Sequence, residues 1–307
     1  MTRGGASPAS PRSPLRGYLW GLLAVILWGI MFPAGTAIMQ ARCTTPAGLG
    51  MLRYLIAGAF LLPVGCLLLG PGAMFPRRAA DWPLLALAGL VGASLMCGLL
   101  FLAQQTIPSV NASLLEAYVP LLVLVFSLPF DRRRPSLRLV FSILLGFAGT
   151  LLVLRAVTLG GLQLAALSRG DLYIFLSGLC WAVYTAWGRP LARRMGGIPF
   201  TAWTCVFGGL WFLLWNVLCG PRPFPLPASA LHWGLVLFLA LGPAALAYLG
   251  WNAAQRHLTV NQLAFLEYFA PAVAALAGLF FLREPVTVLQ WVGIAVVILS
   301  ARLQPRA

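Results

Sequence analysis

Charged residues are scarce in this chain, and lysine is absent. Only 9% of the 307 residues are charged, 61% are hydrophobic, and the mean hydropathy is +0.90. A soluble domain carries about 25% charged residues, so these few charges could not cover the surface of a water-soluble globule of this size. The composition therefore excludes a soluble protein and predicts an all-α polytopic membrane protein.

Residues that build metal and catalytic sites are also scarce. The chain has two histidines and six acidic residues, scattered without an H-E-x-x-H helix or a G-x-x-x-x-G-K-[ST] loop. These absences argue against an intramembrane enzyme and against ATP-driven pumping, and we expect no cofactor and no metal site. The six cysteines form no C-x-x-C pair, and we interpret them as small apolar residues rather than as disulfides or metal ligands.

The abundant feature is apolar sequence in long runs. Because a bilayer-spanning helix needs about 20 apolar residues, the chain has room for ten spans, a flexible cytoplasmic tail at 1–16 and a short tail at 304–307, but no soluble domain. Proline and glycine mark the breaks between the runs. The runs, numbered span 1 to span 10, cover residues 17–40, 46–69, 82–104, 109–129, 136–154, 171–192, 198–219, 230–254, 260–282 and 286–303.

The arginines are distributed unevenly between the loops that alternate along the chain. With a cytoplasmic N-terminus, fifteen arginines lie in cytoplasmic segments and five in external ones, while Arg53 lies within span 2. The positive-inside rule therefore predicts a multi-pass protein of the cytoplasmic (inner) membrane with both termini cytoplasmic. The net charge of +15 is therefore explained by the orientation of the protein in the lipid bilayer, and we expect no nucleic-acid partner.

The second half of the chain repeats the first at an offset of 151 to 153 residues. Each repeat, 17–154 and 171–303, contains five spans, and a periplasmic linker at 155–170 joins them. Since five is odd, the second copy enters the membrane from the opposite side, which predicts two inverted five-helix repeats around a site near the bilayer midplane. A membrane scaffold or receptor without transport activity is the alternative. The matched positions include Trp28 with Trp181, Pro46 with Pro199, Trp82 with Trp233, Gln104 with Gln255, and Glu116 with Glu267.

The order of several short motifs resembles a known family. The ten-span layout, Trp28-Gly29 in span 1, Arg53 in span 2 and an L-E-x-x-x-P element in spans 4 and 9 resemble the EamA-type branch of the drug/metabolite transporter (DMT) superfamily. The resemblance implies a secondary carrier, commonly an exporter of amino acids or other small metabolites, with a cavity lined by spans 1, 3, 4, 6, 8 and 9. Val206 departs from the pattern, because the repeat offset places it where a partner of Arg53 would stand.

Three charged residues lie deep within the predicted spans, away from the span ends, namely Arg53, Glu116 and Glu267. Such groups are costly in lipid unless they are paired or wetted, and they are functional candidates by default. Arg53 and Glu116 share a depth about 10 Å below the external face, which predicts a buried ion pair with a structural or gating role. Glu267 lacks a matching cation, which suits the uptake and release of a proton. The alternative is that both carboxylates only stabilise helix packing.

Polar and aromatic side chains predict a substrate-binding site. Trp181 and Tyr184 are three residues apart and share one face of a helix, as do Tyr248 and Trp251. Such walls suit a small apolar or aromatic molecule such as an amino acid, with core packing and interhelical hydrogen bonds as the alternative roles. The sequence leaves the oligomeric state open. The candidate substrate-binding residues are Trp28, Gln104, Asn111, Trp181, Tyr184, Tyr248, Trp251, Asn252, Gln255 and Gln262.

Overall fold

A computed structural model describes most of the chain between residues 14 and 303. Among the described residues, the structure is helical apart from connecting segments and one antiparallel pair of two-residue strands, Val157–Thr158 and Gly161–Leu162, in the linker between the repeats. Within residues 14–303, the undescribed positions are 116–117, 120–121, 123–124, 127–135, 154–156, 159–160, 163–167, 255–256, 259–265 and 267–268.

Five of the described helices are long and apolar enough to cross a membrane. The chain is therefore a helical, multi-pass membrane protein, as its composition predicts. The five helices lie in spans 1, 2, 3, 7 and 8, and they are Pro14–Gln40, Pro46–Leu69, Asp81–Gln104, Gly197–Cys219 and Ala230–Trp251.

Further helices occupy the remaining spans. The helix of span 1 begins three residues before the predicted start, at a proline, whose fixed φ suits the first turn of a helix. Span 6 also starts earlier than predicted, because Ser168 and Asp171 form a reciprocal capping box there. The further helices are Pro71–Met74 between spans 2 and 3, Ser109–Leu115 in span 4, Leu137–Val153 in span 5, Arg169–Met195 in span 6, Phe269–Ala277 in span 9 and Val288–Arg302 in span 10. In span 8, the last α-helical part of the apolar helix is Ala247–Ala254.

In the described parts of the spans there are three π-helical turns, which the sequence analysis did not predict. These turns are Leu90–Leu95 in span 3, Gly242–Leu246 in span 8 and Gly278–Leu282 in span 9. The first two lie at positions related by the repeat offset. Because a π turn places an extra residue in the helix, it locally changes the direction in which side chains point, and π turns are frequent at functional sites.

Spans 2 and 7, which are equivalent in the two repeats, pack against each other along their length and run antiparallel. Leu55 packs on Gly209 near the middle of this interface. Small residues permit the close approach, because a Cβ atom added at Gly50, Gly58 or Gly209 would overlap the partner helix. Further contacts along the interface pair Gly50 with Phe212, Gly58 with Val206 and Gly65 with Ile198.

Spans 5 and 10 form the second contact between equivalent helices. The Ser142 hydroxyl donates a hydrogen bond to the Ser300 carbonyl, and Arg138 Nε donates to the Leu303 carbonyl over 2.8 Å. The start of span 5 therefore lies beside the end of span 10, and this pair is also antiparallel.

The other six spans form two groups, each with members from both repeats. Spans 1, 8 and 9 pack together as bundle A, with Gly29 of span 1 against Val273 of span 9. Spans 3, 4 and 6 contact one another and are grouped as bundle B, and the described part of span 4, Ser109–Leu115, also contacts spans 1 and 9 of bundle A. Within bundle B, the Ser177 hydroxyl of span 6 donates to the Met96 carbonyl of span 3 over 2.8 Å. The described core is thus built from two mixed bundles and two antiparallel helix pairs.

Candidate functional site

The five aromatic residues proposed from the sequence come together in one cluster between the bundles. Trp28 of span 1 lies 5.2 Å from Trp251 and 5.6 Å from Tyr248 of span 8, measured between ring centroids. Trp181 of span 6 lies 5.3 Å from Tyr184 and 6.3 Å from Tyr248. We call these five residues the aromatic cluster. It joins side chains of bundles A and B, so any relative movement of the bundles rearranges it.

The π turns of spans 3 and 8 hold opposite sides of this cluster. Trp28 Nε1 donates a 3.1 Å hydrogen bond to the Pro243 carbonyl, which belongs to the π turn of span 8. Gly92, in the π turn of span 3, packs directly on the ring of Tyr184. The two turns therefore fix the orientation of a ring on either side of the cluster, each from within its own bundle.

Arg53 is the second element of the site. Its side chain is buried, with 4% of the residue exposed. Nη2 lies 3.0 Å from Met31 Sδ and Nη1 lies 3.4 Å from Cys97 Sγ, while the guanidinium carbon lies 5.3 Å from the centroid of the Tyr54 ring. These neighbours are weak acceptors and a ring face, so the cation is shielded from lipid without being neutralised.

Arg53 has no carboxylate within 4 Å among the residues that the structure describes, and its Nε has no hydrogen-bond acceptor. Glu116, its predicted partner, lies outside the described residues, so the ion pair stays a prediction. The interpretation of Cys97 as only a small apolar residue was incomplete, because its sulfur faces the guanidinium. Its depth in span 3, close to that of Arg53 in span 2, is a signal that could have shown this.

Two of the predicted polar residues make contacts between helices. Gln104 is fully buried, and its Nε2 donates a 3.0 Å hydrogen bond to the Phe32 carbonyl of span 1, while its Oε1 has no partner. Asn111 Oδ1 accepts a 2.7 Å hydrogen bond from Gln290 Nε2 of span 10. Both amides therefore join spans through polar atoms, and their role in substrate binding stays a prediction.

The remaining predicted residues cannot be placed in the site. Glu267, Gln255 and Gln262 lie outside the described residues, as does Glu116, and only the backbone of Asn252 is described, within the helix Ala247–Ala254. Their roles stay predictions.

Two polar contacts that the sequence analysis missed lie at opposite predicted faces of the membrane. At the external end of span 4, Glu284 accepts hydrogen bonds from the Ser109 backbone N–H over 2.9 Å and from its hydroxyl over 2.6 Å. At the cytoplasmic end of bundle B, Arg194 and Asp81 form an ion pair of 2.5 Å. A helix N-terminus attracts a carboxylate, so the polar start of span 4 was a signal for the first contact, although nothing in the sequence pattern connected it with Glu284.

Comparisons with known proteins agree over both halves of the chain. The family model described as the EamA-like transporter family matches residues 15–155 and 168–303. The chain is 29% identical over 263 residues to the aromatic amino acid exporter YddG of Ancylobacter novellus, covering 84% of this chain and 86% of that protein. It is 26% identical over 278 residues to a probable terminal-alkyne amino-acid exporter of Streptantibioticus cattleyicolor, covering 90% and 89%. A solved crystal structure of 24% identity shares the fold with a TM-score of 0.68, covering 95% of this chain and 96% of that one.

Proposed function

The chain belongs to the EamA-like transporter family, and from this premise we propose that it is a secondary transporter that exports a small apolar or aromatic metabolite, an amino acid or a similar compound, across the cytoplasmic membrane. The observation that carries the proposal is the aromatic cluster, assembled from spans 1, 6 and 8 of both repeats. Rings from two separate bundles can enclose an apolar solute and release it when the bundles move apart.

The packing of equivalent helices supports two inverted five-helix repeats and alternating access. Spans 2 and 7 occupy the same place in each repeat, and their contacts run antiparallel, from Gly50 with Phe212 to Gly65 with Ile198. Spans 5 and 10 also occupy the same place in each repeat and run antiparallel at their own interface. Two copies related in this way enter the membrane from opposite faces, so one arrangement of bundles A and B opens the site to the cytoplasm and its mirror arrangement opens it to the outside.

The aromatic side chains that line the site and the names of the relatives together indicate the substrate class. The aromatic cluster offers ring faces from spans 1, 6 and 8, which suit an apolar or aromatic side chain. Two relatives of this chain are named as exporters of amino acids, one of them aromatic. An amino acid with an apolar or aromatic side chain is accordingly the substrate that we propose.

Proton coupling completes the proposal, with Glu267 as the coupling carboxylate and Glu116 as the gating one. The support is chemical, since an acidic residue within the hydrocarbon region is the kind of group that takes up and releases protons in transporters. The test is Glu267→Gln in proteoliposomes with an imposed pH gradient. We expect the variant to lose gradient-driven uptake while keeping exchange of substrate across the membrane. Unchanged gradient-driven uptake by the folded variant would remove Glu267 from this role, and the packing alternative would stand.

The transport proposal is tested by counterflow with purified protein in proteoliposomes. Vesicles loaded with unlabelled L-phenylalanine, L-tryptophan or L-leucine are diluted into the labelled amino acid. We expect saturable accumulation that depends on the internal solute, because a carrier exchanges substrate in both directions. A protein that binds these amino acids without exchange would be a receptor, and the proposal would be wrong.

A further inference from the structure

We propose that Arg53 binds the carboxylate of the substrate, while the aromatic cluster receives the rest of the molecule. This proposal rests on the proposed function, because it assigns the two ends of an amino-acid substrate to two parts of the same site. Arg53 is thereby a substrate-binding residue rather than a residue that only stabilises helix packing.

The described surroundings of Arg53 provide no anion for its charge. A guanidinium offers five N–H donors in a planar fork that matches a carboxylate. In the described part of the chain, two of its nitrogens meet only sulfur atoms, of Met31 and Cys97, and Nε meets no acceptor. A buried cation in such surroundings is costly for folding alone. A ligand carboxylate would supply the oxygen acceptors that the protein side chains described here do not.

The position of Arg53 between the bundles fits a substrate that moves with them. Met31 belongs to span 1 of bundle A and Cys97 to span 3 of bundle B, so the guanidinium touches both bundles at once. Met31, whose sulfur contacts the guanidinium, lies one helical turn after Trp28 of the aromatic cluster on span 1. The guanidinium and the cluster are therefore neighbouring parts of one region.

The spacing along span 1 matches the shape of an aromatic amino acid. Trp28, in the cluster, and Met31, beside the guanidinium, are three residues apart and lie on one face of the helix, separated by about 4.5 Å along its axis. When the substrate carboxylate binds Arg53, a short saturated chain in the substrate is thus long enough to reach the ring faces of the aromatic cluster. An α-amino acid with an apolar or aromatic side chain has that arrangement.

The second repeat indicates that the substrate carries a single carboxylate. Val206 occupies the position equivalent to Arg53, and Gly58 packs against it. Among the described residues, Arg53 is the only buried basic side chain. One buried cation in the site matches a monocarboxylate better than a dicarboxylate or a phosphate ester.

The experiment measures how strongly the carboxylate of a ligand contributes to binding. Calorimetric affinities are determined at one pH for L-phenylalanine, 3-phenylpropionate and L-phenylalaninamide, with the corresponding acid and amide of leucine as a second pair. We expect the wild-type protein to bind the acids at least about tenfold more tightly than the amides. Arg53→Gln should abolish this ratio by weakening acid binding alone, and Arg53→Lys should restore part of it. Arg193→Gln, at an exposed arginine near the cytoplasmic end of span 6, is the matched control and should leave the ratio unchanged.

Three results would overturn the proposal. The first is a folded Arg53→Gln protein that still prefers acids over amides. The second is a wild-type protein with no preference in either pair; if counterflow remains saturable, the transport proposal stands and only the role of Arg53 is wrong. The third is an apo Arg53→Gln protein that melts far below wild type and is restored by adding Glu116→Gln, since this would make the glutamate the partner of Arg53. We expect instead that the apo variant melts at or above the wild-type temperature.

Discussion

Span 2 carries Arg53 where span 7 carries Val206, although the two helices pack on each other as equivalents from Gly50 with Phe212 to Gly65 with Ile198. The framework of the two repeats is thus shared at positions where small residues allow close helix contact. The chemistry differs at one pair of equivalent positions, because Arg53 reaches both bundles whereas Val206 packs against Gly58. Equivalent packing is what we expect of two repeats that move against each other, and in our proposal the single buried cation is the end of the site that binds an anion.

A second difference lies at the ends of the bundles. Asp81 and Arg194 join spans 3 and 6 at the predicted cytoplasmic end of bundle B. The repeat offsets place His232 and Ala41 at the equivalent external end of bundle A, and His232 is instead bonded to the Ser229 hydroxyl over 2.7 Å. One end of one bundle is therefore held by an ion pair that has no equivalent in the described part of the other bundle.

The largest expected effect comes from forcing the two halves to be alike. Val206→Arg would place a second cation in a close-packed helix contact, where Gly58 leaves no room and no carboxylate lies within the described surroundings. We expect a loss of about 3–5 kcal/mol in the free energy of unfolding, measured by denaturant titration in mixed micelles. The control, Val206→Ala, should lose about 1–2 kcal/mol. An arginine tolerated at this position as well as alanine would show that the interface between spans 2 and 7 is not closely packed.

The π turns of spans 3 and 8 should respond unequally to an added methyl group. A Cβ atom at Gly92 would overlap the Tyr184 ring, whereas one at Gly242 would lie 3.2 Å from the nearest atom, in the Phe238 ring. We expect Gly92→Ala to lower the free energy of unfolding by about 1–3 kcal/mol through overpacking, and Gly242→Ala to change it by less than about 1 kcal/mol. Equal effects at the two glycines would contradict the packing of the Tyr184 ring on span 3.

Removing one partner of the ion pair in bundle B should lower the free energy of unfolding more than removing the other. The Asp81 side chain is 7% exposed and that of Arg194 45% exposed. Arg194→Gln leaves a buried carboxylate and should lower the free energy of unfolding by about 1–3 kcal/mol. Asp81→Asn leaves an arginine that can turn toward water and should lower it by at most about 1 kcal/mol. Thermal melting of both variants at low and high salt measures this order, and the reverse order would contradict it.

The smallest expected effect comes from a substitution that makes span 3 resemble span 8. The Ser94 hydroxyl donates to the Gly208 carbonyl over 2.9 Å, and the offset places Ala245 at the equivalent position. Ser94→Ala should lower the free energy of unfolding by about 1 kcal/mol, the value of one hydrogen bond, without changing counterflow. A large loss of transport in this variant would assign Ser94 to the substrate site instead.

The sequence predicted features that arise from composition and from helical spacing. Trp181 and Tyr184 share a face because they are three residues apart, and their meeting with Tyr248 follows from the resemblance that placed spans 6 and 8 around one cavity. The family membership expected from the motif order is confirmed over both halves. These signals are repeated along the chain, so they could be recognised without coordinates.

Features that depend on contacts between distant residues could not be predicted in the same way. The sulfur neighbours of Arg53 come from spans 1 and 3, and no spacing rule connects Met31 with Cys97. The bond of Glu284 to Ser109 joins residues 175 positions apart. The π turn of span 3 contains no proline, and no residue preference distinguishes it from an ordinary α-helical turn. Each of these details depends on the register between packed helices, which composition does not fix.

The most direct test of the central claim is accessibility of the aromatic cluster from both sides of the membrane. Trp251→Cys is introduced into a background in which the six native cysteines are replaced, with serine at position 97 to keep a polar neighbour for Arg53. Membrane-impermeant maleimide is then applied to right-side-out and to inside-out vesicles. Alternating access predicts modification from both faces and protection by a bound amino acid. Modification from one face only, unaffected by any conformational change that substrate induces, would contradict it.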